Sequence, residues 1–89
     1  MKPFSNNQEF YDYLILLISR LHRRGFHDLA KPLEFAASQA SSNSTEFLGE
    51  SRIALRQLLD ESPVHALTEA ELNEVQYALS QLDTAFTKK

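Results

Sequence analysis

The sequence predicts an all-α fold: a compact four-helix bundle with helices over about residues 7–24, 28–41, 46–61 and 69–86. Three observations carry that expectation. Apolar residues recur at spacings of three and four in four separate segments, the period of a helix with one buried stripe. Helix-ending signals separate the segments: Gly25, the run Ser41-Ser42-Asn43-Ser44, and Ser62-Pro63. No stretch alternates apolar and polar residues like a half-buried strand, and neither a hairpin turn nor an internal repeat is evident.

The first helix carries the strongest stripe. Phe10, Tyr13, Leu14, Leu17 and Leu21 fall on one face, Tyr11 and Ile18 widen it, and Ile15 and Leu16 extend it on opposite flanks. More than half the circumference is then apolar, so this helix is expected to be the central core element, covered by several partners. Ser5-x-x-Gln8 and Asn6-x-x-Glu9 both fit a capping box at its start. At its end Arg20, Arg23 and Arg24 suit the negative end of the helix dipole, and Gly25 suits the left-handed cap position.

The second helix is harder to place. Asp28 is a suitable cap, yet Pro32 would then remove a backbone hydrogen bond and bias Lys31 away from helical angles, so the start lies between Phe26 and Pro32. Leu29, Leu33, Ala36, Ala37 and Ala40 share a face whose small side chains permit a close approach, while Phe35 points away. Thr45 or Ser44 is expected to cap the third helix, with Glu46 in its first turn. Its buried face is Phe47, Leu48, Ala54, Leu55, Leu58 and Leu59 with Ser51 among them, leaving Ile53 on the polar side near Gly49. Thr68-Glu69-Ala70-Glu71 is a capping box, with Leu67 and Leu72 in the staple positions. The fourth helix continues with Val75, Leu79, Leu82 and Phe86 in a narrow stripe, and residues 87–89 are expected to fray.

Composition narrows the function. The 89 residues suffice for one domain, and 43% hydrophobic with 24% charged residues is an ordinary globular balance. No cysteine is present, so there is no disulfide framework, thiolate nucleophile or cysteine zinc site, and a cytoplasmic location fits. The longest apolar run, residues 13–18, is too short for a signal or membrane segment. Asn43-Ser44-Thr45 matches a glycosylation sequon by chance. The net charge of −3 argues against a dedicated nucleic-acid binder. That charge is uneven: residues 1–40 carry five Lys/Arg against four Asp/Glu, and residues 41–89 carry four against eight.

Arg20, His22, Arg23, Arg24, His27 and Lys31 form the densest polar cluster. It could contact an anionic partner, but a helix C-terminus already accounts for its charge. His22, His27 and Asp28 do not suggest a metal site, because ligands on a zinc-binding helix sit three or four apart, and a five-residue step across a glycine turn departs from that rule. Lone His65 adds nothing to it. Glu69, Glu71 and Glu74, with Asp60 and Glu61, read as a solvated acidic helix start. With two glycines and no G-x-S-x-G elbow, neither a phosphate loop nor a serine nucleophile site is indicated. No enzyme activity and no cofactor are therefore expected.

The apolar residues outside their own stripes, Ile15, Leu16, Phe35 and Ile53, remain. Leu16, Phe35 and Ile53 are the candidate interaction surface, because apolar residues gathered on a surface mark partner or self-association sites. The expected function is a non-catalytic helical interaction module: a small adaptor, inhibitor or immunity-type regulator that binds another protein or itself as a homodimer. The layout is similar in general plan to small four-helix bacterial immunity proteins, without a shared residue motif. A nucleic-acid-binding regulator using the Arg20–Lys31 turn is the alternative. Against it, the link between the second and third helices is longer than a helix-turn-helix allows, and the third helix carries Glu46, Glu50, Asp60 and Glu61 beside Arg52 and Arg56.

Overall fold

A computed structural model of the protein describes residues 6–40, 44–61 and 66–87, with the side chains of residues 44 and 85–87 excepted. Four helices follow in order: α1 (Asn7–Arg23), α2 (His27–Ser38), α3 (Ser44–Glu61) and α4 (Glu69–Thr87). Among the described residues there is no strand. The all-α four-helix reading therefore holds. No helix among these residues is long and apolar enough to cross a membrane. The expected Ser5 cap, the loop residues 41–43 and 62–65 with His65, the Phe86 side chain and residues 88–89 lie outside what is described.

The start and stop of α1 follow from its own residues. Asn6 caps it, its Oδ1 accepting from the Glu9 N–H at 2.9 Å. The end is a Schellman turn: the Phe26 N–H donates to the Leu21 carbonyl at 2.8 Å and the Gly25 N–H to the His22 carbonyl at 3.1 Å. Gly25 sits at φ +84°, the left-handed conformation in which a side chain is strained. The turn is closed by half-buried Phe26, which packs against the core.

This turn explains why α2 starts one residue before Asp28. Phe26 occupies the N-cap position without a side-chain cap, since its backbone is already placed by the Schellman bond. Asp28 falls in the first turn, where its charge suits the dipole, and pairs with Lys31 at 3.5 Å. Pro32 lies inside the helix, at the expense of a backbone bond to the Asp28 carbonyl. Burial of Ala30, Leu33, Ala36 and Ala37 on the same helix offsets that loss. The helix ends at Ser38, before the expected 41, so Ala40 is exposed rather than part of the buried face.

Likewise α3 begins at Ser44, so Ser44 and Thr45 belong to the helix instead of capping it. Its buried face is Phe47, Ser51, Ala54, Leu55 and Leu58, with Leu48 and Leu59 partly covered. Ser51 is fully buried and satisfied, its hydroxyl donating to the Phe47 carbonyl at 2.7 Å. The capping box before α4 forms as expected: the Thr68 N–H donates to Glu71 Oε1 at 2.9 Å and the Glu71 N–H to Thr68 Oγ1 at 3.1 Å.

One core cluster draws on all four helices. Phe47 meets Phe10 edge-on, with ring centroids 5.9 Å apart and planes at 87°, and so fixes the start of α3 on the start of α1. As expected, α1 is covered by several partners: Phe10, Tyr13, Leu14, Leu17, Ile18 and Leu21 are buried, α2 packs along it, Phe47 of α3 meets Phe10, and Glu71 of α4 meets Arg20. Close backbone contact runs α1 on α2, α2 on α3 and α3 on α4, and the most extensive of these contacts involve α2. The buried side chains of α2 are three alanines and one leucine, and small side chains let backbones approach. Ile15 and Leu16 are left at 42% and 45% exposure, because the helices that cover Leu14 and Leu17 do not reach round α1.

Candidate functional site

Phe35 and Ile53 meet in one groove. Asp28, Lys31, Pro32 and Phe35 form one ridge of α2, and Glu50, Ile53, Ala54 and Gln57 form the facing ridge of α3. Both sets follow the same spacing of three, four and seven, so each lies along a single helix face. The alanine face of α2 lets the two helices approach closely, and Ala54 is the buried member of the α3 ridge. Phe35 and Ile53 are 57% and 59% exposed, more than any other large apolar side chain described. Leu16, the third member of the expected surface, does not line this groove. The rim carries both signs of charge, with Asp28 and Lys31 paired on α2 and Glu50 on α3.

The basic cluster is divided rather than gathered into one patch. Arg24 binds Glu71 in bidentate fashion, Nη1 to Oε1 at 2.6 Å and Nη2 to Oε2 at 2.9 Å, and its Nη1 also donates to the Ala66 carbonyl at 2.9 Å. Arg20 Nη1 adds a contact to Glu71 Oε2 at 3.2 Å and approaches Glu74 at 3.8 Å. Glu71, expected at a solvated helix start, has a side chain only 8% exposed. The Arg24 hydrogen bonds, followed by the Thr68 N–H, hold its carboxyl at about 2, well below the usual 4.5, against the opposing effect of burial. Arg20 and Arg24 therefore serve an anion of the protein itself. Arg23 reaches back to Ser19 Oγ at 3.4 Å, and Lys31 lies beside Asp28.

A second ionic contact joins α3 to α4. Arg52 Nε donates to Asp83 Oδ1 at 2.5 Å, and Arg56 Nη2 reaches both carboxylate oxygens at 3.2 and 3.3 Å. The Arg52 hydrogen bond is the main cause that lowers the Asp83 pKa. Sequence reasoning missed Asp83; the only local signal was the i, i+4 placement of Arg52 and Arg56 on one face.

His22 and His27 also differ from expectation. The left-handed step at Gly25 folds the start of α2 back on the end of α1, which brings His22 Nδ1 to 2.5 Å from His27 Nδ1. Glu34, also unremarked in the sequence, accepts from His22 Nε2 at 2.7 Å. The rule of three or four residues does not govern ligands across such a turn. Among the described residues, no group of three or more His, Asp or Glu side chains is arranged to hold a metal ion.

The class that fold and site define is an all-α bundle with internal ion pairs and an exposed groove between α2 and α3. The chain matches no known protein family, no curated protein and no solved structure.

Proposed function

We propose that the protein is a non-catalytic interaction module that docks a partner protein in the α2–α3 groove, with Phe35 and Ile53 as the apolar anchors. An adaptor, an inhibitor or an immunity-type regulator would use such a surface, and a second copy of the chain is one candidate partner. The observation that supports this reading is the pairing of the two most exposed large apolar residues across one groove. Single exposed hydrophobes are commonplace, but two aligned on facing ridges form a contiguous surface.

The nucleic-acid alternative draws less support. Arg20 and Arg24 are engaged with Glu71, Arg52 and Arg56 with Asp83, and Lys31 lies against Asp28. Salt-dependent retention on heparin would favour it nevertheless.

The direct test is the double variant Phe35→Ser with Ile53→Thr. Each exposed site should change stability by about 0.5 kcal/mol or less, while self-association in sedimentation, or capture of a protein partner, should be lost. Unchanged association in a folded double variant would defeat the proposal.

A further inference from the structure

The two imidazoles at the α1–α2 turn are held in a way that a shared hydrogen bond does not fully use. His22 and His27 face each other through Nδ1 at 2.5 Å with ring centroids 4.8 Å apart, so the two nitrogens meet nearly head-on. Glu34 Oε2 lies 2.7 Å from His22 Nε2. A carboxylate can only accept, so it places the His22 proton on Nε2 and leaves a lone pair on Nδ1. His27 then fills the gap by donating from its own Nδ1. A metal-binding histidine typically donates its other nitrogen to a carboxylate that fixes tautomer and ring direction, as His22 Nε2 does to Glu34.

We propose that His22 and His27 form a two-imidazole site for a late first-row divalent ion, Ni2+, Cu2+ or Zn2+, with Glu34 as the positioning residue for His22. Imidazole nitrogen suits these ions. Conversion from the hydrogen-bonded state needs two small changes. The His27 proton moves from Nδ1 to Nε2, a neutral change of tautomer. The nitrogens then separate by roughly 1 Å and the two rings turn so that their lone pairs converge beside the line between them, where two metal–nitrogen bonds of about 2.0–2.1 Å meet. Both are feasible at the surface, since the His22 side chain is 37% exposed and His27 is exposed. Water completes the coordination. The bound ion would link the last turn of α1 to the first turn of α2 across Gly25, and so stabilise the folded chain by preferential binding.

The test uses untagged, chelator-stripped protein titrated with NiCl2 and, separately, ZnCl2 at neutral to mildly alkaline pH. Calorimetry should show one site, and the melting temperature should rise with metal concentration. His22→Ala and His27→Ala should each weaken binding at least tenfold. Glu34→Gln should weaken it by about 10–100-fold, the usual effect of losing the carboxylate behind a ligating histidine. Circular dichroism confirms that each variant is folded; should His22→Ala fail to fold, the exposed His27→Ala decides the matter alone. Absence of binding at millimolar metal, or binding that survives His27→Ala, would overturn the site and leave the pair as a hydrogen bond only. Binding unaffected by Glu34→Gln would overturn the positioning role.

Discussion

Arg24, in the residue position that ends α1, grips Glu71 in the first turn of α4 through two hydrogen bonds of 2.6 and 2.9 Å, across 47 residues of chain. Glu71 is also half of the capping box with Thr68. One carboxylate thus starts α4 and attaches it to the end of α1.

The two members of the box should consequently differ in weight. Thr68→Ala removes one hydrogen bond to a helix-start N–H and should cost about 1 kcal/mol. From the box alone Glu71→Ala would cost less. With two arginines gathered on a buried carboxylate, it should instead cost about 2–4 kcal/mol, the range for breaking a partly buried charge pair from one side. For a domain of this size, 1 kcal/mol moves the melting temperature by about 4–8 °C, so the order of the two variants can be read from thermal melts. A Glu71→Ala melt no lower than that of Thr68→Ala would refute the ion-pair account.

Acid should act through the same group. The folded carboxyl is held at about 2 against an ordinary 4.5. A carboxyl with a lowered folded pKa stabilises the protein above its unfolded pKa, and that contribution disappears as pH falls toward the folded value. We expect a contribution of about 1–3 kcal/mol above pH 4.5, lost progressively between about 4.5 and 2. Urea midpoints of the native protein and of Glu71→Gln should therefore converge through that window. Parallel curves down to pH 2 would place the acid sensitivity elsewhere.

Leu17 tests the core. It is 1% exposed on the buried face of α1. Leu17→Ala should cost roughly 2–5 kcal/mol, the range for truncating a buried leucine, a large fraction of a small domain's total stability. Denaturant titration gives the value directly, and a loss below 1 kcal/mol would mean that the site collapses freely or was never packed.

Gly25 tests the turn in isolation. A Cβ added there meets nothing within 4 Å, and φ is +84°. Substitution should therefore cost conformational strain without a clash: about 1 kcal/mol for Gly25→Ala and less for Gly25→Asn, since asparagine tolerates the left-handed region better. Equal melting temperatures for the native protein and Gly25→Ala would show that the turn relaxes to a negative φ.

Much of the fold was legible because it is written locally. The stripe of Phe10, Tyr13, Leu14, Leu17 and Leu21, the Gly25 stop and the Thr68–Glu71 box all depend on residues within one or two turns of each other, where the helical period fixes which side chains meet. The same period showed that Phe35 and Ile53 lie off their buried stripes. It also failed in places: Pro32 lies within α2 because tertiary burial outweighs one lost hydrogen bond, and α3 takes in Ser44 and Thr45, its expected caps.

What the tertiary structure alone decided are the long-range meetings: Arg24 with Glu71, Arg52 with Asp83, Phe35 with Ile53 in one groove, and His22 with His27 and Glu34. Helical periodicity assigns each residue an angle about its own axis but says nothing of which other helix that angle faces. That depends on how the axes pack, here on the alanine face of α2 bringing α1 and α3 close and on a single left-handed residue setting the direction from α1 into α2.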